Sequence, residues 1–110
     1  MIPAVCIRDD KRPNEIPPSL WVTKGETYRI THISIQVNQK EQGGFVLGCD
    51  LYELPIDKQK HYPFECFRLD RFAINIDQLA ELEELFNDCI NLPKDVGFNE
   101  LIRQSGLNLV

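Results

Sequence analysis

From Thr27 to Leu51 apolar residues alternate with polar ones, the period-two signature of half-buried strands. Tyr28 and Ile30 share one parity and Ile33, Ile35 and Val37 the other, so the phase changes at Thr31-His32-Ile33. A one-residue slip swaps the two faces of a strand. A bulge or sharp bend near His32 is therefore expected to return all five side chains to one core. The polar stretch Asn38 to Gly44 is expected to close a hairpin, with Gly43-Gly44 in its turn, and Phe45, Leu47, Cys49 and Leu51 alternate along a second long strand. Tyr52 has the opposite parity and is expected to face away from the core those residues build.

Upstream, Ala4-Val5-Cys6-Ile7 reads as a first strand that ends in the charged run Arg8-Asp9-Asp10-Lys11-Arg12. Pro13, Pro17 and Pro18 follow, and because proline lacks an amide donor and fixes φ they predict a long, fairly rigid loop. Leu20-Trp21-Val22 is expected to be a short extended piece, and Lys24-Gly25 a tight turn. Downstream, Pro55 to Pro63 is polar and predicts an exposed loop, while Phe64 to Ile74 breaks strict alternation and predicts one short strand leading out of the sheet. Leu79, Leu82, Leu85, Phe86, Cys89 and Ile90 recur at helical spacing, with Asn75 or Asp77 available as N-cap. After Pro93 a shorter helix is expected over Phe98 to Gln104 or Ser105, stopped by Gly106, with Leu107 folding back. Strands first and helices last give an α+β class: a small bent antiparallel β-barrel over residues 1–75, followed by C-terminal helices over 76–110 packed on it in one domain.

At 110 residues, 43% of them hydrophobic, the chain can enclose one core without obligatory metals or disulfides. The longest apolar runs, such as Phe45-Val46-Leu47, fall far short of the ~18 residues of a membrane span. The N-terminus shows no basic region followed by an apolar stretch. A soluble, cytoplasmic protein is expected. The net charge of −5 is concentrated: Asp77, Glu81, Glu83, Glu84 and Asp88 lie between Ile76 and Asn91 without one Lys or Arg. Nucleic-acid binding calls for a basic excess, so direct contact with nucleic acid is not expected, nor is contact with a membrane.

The segment Ile16-Pro17-Pro18-Ser19-Leu20-Trp21-Val22-Thr23-Lys24-Gly25-Glu26-Thr27-Tyr28-Arg29-Ile30 resembles a Pro-x-x-x-Trp-Val-x-Lys-Gly-Glu-x-Tyr stretch of small, uncharacterised bacterial and phage-associated proteins. Phe67-Arg68-Leu69-Asp70-Arg71-Phe72 is also similar to theirs, and the two stretches bracket roughly the first seventy residues. The resemblance implies a Src-homology-3-like small barrel and carries no activity with it. The acidic helix and the final twenty residues look like an addition to that barrel.

Cys6, Cys49, Cys66 and Cys89 contain no C-x-x-C pair, and structural zinc sites bring their ligands in closely spaced pairs. A set such as Cys49, His61 and Cys66 would have to converge from distant positions, so no metal and no cofactor is expected, and the thiols are expected to be reduced and buried. His32 and His61 lie in no catalytic motif, and neither a Gly-x-x-x-x-Gly-Lys nor a Gly-x-Gly-x-x-Gly phosphate loop is present. The aromatic inventory of the barrel is Trp21, Tyr28, Tyr52, Tyr62, Phe64 and Phe67. Beside a proline-rich loop such rings can line a groove for an extended peptide, which makes Tyr52, Tyr62 and Trp21 candidate partner-binding residues. Glu81, Glu84 and Asp88 form the polar face of the acidic helix, either as ordinary solvated charge or as a docking surface for a basic partner. Three functions remain open: a non-enzymatic module that binds another protein, an acidic inhibitor or decoy that covers a basic, nucleic-acid-binding surface, and a small enzyme.

Titration of the denatured, unreduced protein is expected to return four reactive thiols per chain, and elemental analysis no stoichiometric zinc. Fewer thiols, or one zinc per chain, would overturn the reading of the cysteines.

Overall fold

The computed structural model of the protein describes residues 1–37, 45–57, 59–62, 64–88 and 97–110. Strand β1 (Ile2–Cys6) alternates strictly: Ile2, Ala4 and Cys6 are buried while Pro3 and Val5 face outward. It pairs antiparallel with the start of the long β2 (Thr27–Val37), with Ile2 opposite Ile30 and Ala4 opposite Tyr28. From Ile30 onward β2 pairs antiparallel with β3 (Phe45–Leu51), and the register shifts between Ile30 and His32. The extra residue keeps both Ile30 and Ile33 in the core and leaves His32 exposed. The phase change in the sequence is thus a β-bulge, where the strand bends and its twist increases.

Two short strands, β4 (Phe67–Arg68) and β5 (Phe72–Ile74), flank a single 3-10 turn at Leu69–Arg71. The single outgoing strand expected over Phe64 to Ile74 is therefore two, on different sides of the sheet, because the turn lets Phe67, Leu69 and Phe72 all enter the core. Alternation breaks where the chain changes partner. β4 pairs with β3, and β5 pairs with β1 across Cys6 and Phe72. A last strand, β6 (Asn108–Leu109), lies parallel to β5, giving six strands in the order β4-β3-β2-β1-β5-β6. The antiparallel barrel expected from the sequence is corrected to a curled, mixed half-barrel in an α+β fold. A parallel neighbour requires a crossover rather than a hairpin, and the crossover here contains the helices.

Helix α1 (Leu79–Asn87) follows a 3-10 turn at Ile76–Gln78 whose first turn is capped by Asn75, the side chain accepting from the Asp77 amide at 2.9 Å. Leu82 and Phe86 are fully buried, with Leu79 and Leu85 packed partly against the same cluster, and α1 packs against β2. Glu81, Glu83, Glu84 and Asp88 are exposed. Helix α2 (Phe98–Ser105) places Leu101 in the same cluster and ends at Gly106, whose φ of 72° is left-handed backbone that glycine adopts without a Cβ penalty. Phe86 and Phe98 meet edge to face at 5.3 Å, tying the two helices together. The hairpin turn expected at Asn38 to Gly44, the stripe positions Cys89 and Ile90, and Pro93 lie outside the described residues. Among the described residues no helix is long and apolar enough to cross a membrane.

The loop after β1 packs on the sheet through one buried cation. Arg71, 6% exposed, donates from Nη1 to the Asp10 carbonyl at 2.8 Å and the Arg8 carbonyl at 3.4 Å, and its guanidinium lies 4.8 Å from the centre of the Trp21 ring. The Trp21 indole in turn donates to the Asp9 carbonyl at 2.7 Å. Of the extended piece expected at Leu20 to Val22, Leu20 instead ends a 3-10 turn, Pro18–Leu20, while Trp21 has extended backbone and inserts against Phe64 and Phe67.

Replacing Leu82 by Ala is expected to cost about 2–5 kcal/mol, since the side chain is fully enclosed. Combined reversal of Glu81 and Glu84 to Lys is expected to change stability by less than about 1 kcal/mol. Denaturant unfolding checks both, and similar costs for the two variants would contradict this assignment of the helix faces.

Candidate functional site

The bulge in β2 sets Thr31 and His32 side by side, with Thr31 half-buried and His32 exposed. Thr31 Oγ1 donates to the Asp50 carbonyl at 3.3 Å and lies 3.0 Å from His32 Nδ1, so the hydroxyl bridges the imidazole and the neighbouring strand. His32 and Asp50 are direct cross-strand partners. Just beyond, β3 ends: Leu51 is buried, Tyr52 turns outward and the chain folds over as Leu54-Pro55-Ile56. These residues, with Glu65 from the far end of the following loop, line an open cleft of about 280 Å³.

Tyr52 is 58% exposed, as its parity predicts, yet its ring is held in place. Its amide donates to the Arg29 carbonyl at 2.9 Å, and the Arg29 guanidinium lies 4.4 Å from its ring centre. Glu53 grips Arg29 twice, accepting from the backbone amide and from Nε at 2.7 Å each. A large apolar surface thus stands in water with its orientation fixed by a cation–π contact and a two-point carboxylate clamp. Burial pushes the Glu53 carboxyl up, but the Arg29 amide and guanidinium outweigh it and hold the group below its usual range.

The other aromatic candidates are placed differently. Trp21, named with Tyr52 and Tyr62 as a candidate for a peptide groove, is buried: it is 8% exposed, with its ring among Phe64, Phe67 and Arg71. The loop's carbonyls satisfy its indole N–H, which removes the cost of enclosing it. Tyr62 is 73% exposed but does not line the cleft. Its neighbour His61 accepts from the Asp57 amide at 3.2 Å, within a turn in which Asp57 also receives the Gln59 and Lys60 amides. Those two backbone bonds draw the Asp57 carboxyl below its ordinary range. Glu81, Glu84 and Asp88 are exposed on α1, form no ion pair among the described residues, and are not part of the cleft.

Cys6 and Cys49 are buried and Cys66 is half-buried. Burial pushes the Cys49 thiol well up, with the nearby Cys66 adding to it, and burial also raises Cys6. Thiols held in the neutral form are poor nucleophiles and poor metal ligands. Among the described residues no three His, Cys, Asp or Glu side chains converge to hold a metal ion, and Cys49, His61 and Cys66 form no such group. Asp50 and Glu65, which line the cleft, and Arg29 and Glu53, which hold the Tyr52 ring beside it, were not singled out in the sequence. Only the strand register, His32 against Asp50, shows which of the chain's many charges share a face.

A carboxyl whose folded value is depressed contributes stability above its unfolded value and loses it as the pH falls through the folded one. The clamp on Tyr52 is therefore intact at neutral pH and released only below the ordinary Glu value of about 4.3. Carbon-detected NMR titration is expected to place Glu53 below that value and to show it rising in Arg29→Met. An Arg29→Met titration curve superimposable on the wild type would remove Arg29 as the cause.

Comparison with protein-family models, with curated proteins and with solved structures finds no match to this chain.

Proposed function

We propose that this protein is a non-enzymatic interaction module that presents the cleft beside Tyr52 to a short segment of another protein. The observation that carries this reading is the fixed exposed ring. Aromatic side chains with few rotatable bonds dominate binding energy at interfaces, and a ring ordered before binding loses little entropy on binding. Tyr52 is ordered at a cost in conformational entropy without the full hydrophobic gain of burial, since more than half of it stays in water. The cleft next to it supplies the concavity that turns an exposed ring into an anchor point.

A Src-homology-3-like barrel is the architecture we infer beneath this surface. Supporting it are the long bent β2 shared between the two halves of the sheet, the long loop between β1 and β2, and the 3-10 turn between β4 and β5. The C-terminal helices, α1 among them packed against β2, and β6 beside β5 then stand as an addition to it. The second reading, an acidic inhibitor or decoy, is favoured by one observation: the three acids of α1 and Asp88 just after it are exposed with no ion pair among the described residues.

Affinity capture from native extract with wild-type protein and Tyr52→Ala tests the first reading, and Glu81→Lys with Glu84→Lys the second. Loss of a captured protein in Tyr52→Ala, with the melting temperature unchanged, is the expected outcome. Capture that survives Tyr52→Ala but disappears with the charge reversal would replace the module by the decoy.

A further inference from the structure

We propose that the cleft accepts a lysine or arginine side chain from an extended segment of the partner, and that Arg29 and Glu53 act as positioning residues for it through Tyr52. This rests on the cleft being the interaction site. The lining divides by chemistry into an apolar floor and a charged rim. Leu51 and Leu54 are buried beneath it and Ile56 is half-buried, while Asp50 and Glu65 are the charged residues in the lining. Among the described residues no Lys or Arg lines the cleft.

A long cationic side chain matches both parts, since lysine and arginine lay their methylene stems on apolar surface and keep the charged head among polar groups. An apolar side chain would cover the two carboxylates and leave them desolvated without a partner, and an acidic one would add like charge. The volume, about 280 Å³, suits one long side chain rather than the face of a helix.

The adjacent charges agree with this assignment. Arg29 lies over the Tyr52 ring at 4.4 Å, and with the residue 58% exposed the ring still offers surface to a ligand. Its own charge would repel an incoming cation were it not paired with Glu53 at 2.7 Å. Glu53 therefore has two effects: it fixes Arg29 against the ring, and it cancels the charge that would oppose the ligand. The Tyr52 hydroxyl has no part in this arrangement, so the ring alone should suffice.

Titration of nitrogen-15-labelled protein with capped peptides of one alanine-glycine sequence, bearing a central Lys, Arg, Nε-acetyl-lysine, Leu or Glu, tests the proposal. Lys and Arg peptides are expected to give saturable shifts at the amides of Thr31, His32, Asp50, Tyr52 and Glu65. Acetylation of the lysine, or Asp50→Asn with Glu65→Gln in the protein, is expected to weaken binding by about tenfold or more. Tyr52→Phe should bind as the wild type, whereas Tyr52→Ala and Arg29→Met should each weaken binding severalfold, with the spectrum of the folded protein retained. A Leu or Glu peptide binding these amides at least as well as Lys would overturn the cationic assignment and leave the interaction module standing. Absence of saturable shifts with every peptide would overturn it as well. If in addition capture from extract is insensitive to Tyr52→Ala, the reading of the cleft as the interaction site falls with it.

Discussion

The half of the fold that lies around β1 depends on how one guanidinium is housed. Enclosing an unpaired charge costs several kcal/mol, on the order of 3–5 kcal/mol when a partner is removed, and Arg71 is the buried charged residue of the described core. The compensation comes from a single stretch of chain: the carbonyls of Arg8 and Asp10 accept from its side chain, and the amides of Ile7 and Arg8 donate to its own carbonyl. Arg8, two residues after β1, is thereby gripped from two sides by Arg71, the residue before β5. With that joint made, the proline-rich loop has only one way to cross the sheet. Trp21 comes down on the guanidinium, Ile16 is fully buried, and the loop returns to β2 through Gly25, whose amide donates to Cys6. Prolines suit such a loop because they restrict the unfolded chain and leave its carbonyls free to accept.

The cleft is formed midway along β2, at Thr31 and His32, apart from this joint, yet the two are linked by the strand they share. Thr27 to Ile30 pair with β1, and Ile30 is also the last residue to meet β3 before the bulge. The bulge therefore marks the change of partner, and it is there that Thr31 and His32 are turned outward together. A β-strand running without interruption would have returned one of them to the core. The exposed chemistry of the site is a consequence of how the sheet curls, which is why a bulge and a cleft occupy the same few residues.

What could be read in advance was what depends on local spacing. The change of parity between Ile30 and Ile33, the outward parity of Tyr52, the cap at Asn75 and the glycine at position 106 each follow from neighbours within a few residues. What escaped depends on partners far along the chain. β6 is two residues long and has no alternation to betray it, and its pairing with Ala73 and Ile74 exists only because the crossover brings it there. Trp21 looked like a groove residue because it follows prolines. Its burial is decided by Arg71, fifty positions later. Asp50 and Glu65 are two acids among seventeen until Glu65 is brought back to β3.

The two outer strands of the sheet, β4 and β6, are each two residues long. An unclosed sheet exposes unpaired amides and carbonyls at its margins, which in long, flat strands serve as templates for joining a second molecule. Here the outermost strand at each margin is too short to register another strand. A half-barrel can in this way stay open without closing into a full cylinder, which leaves the face of the sheet rather than its edge for the proposed recognition surface.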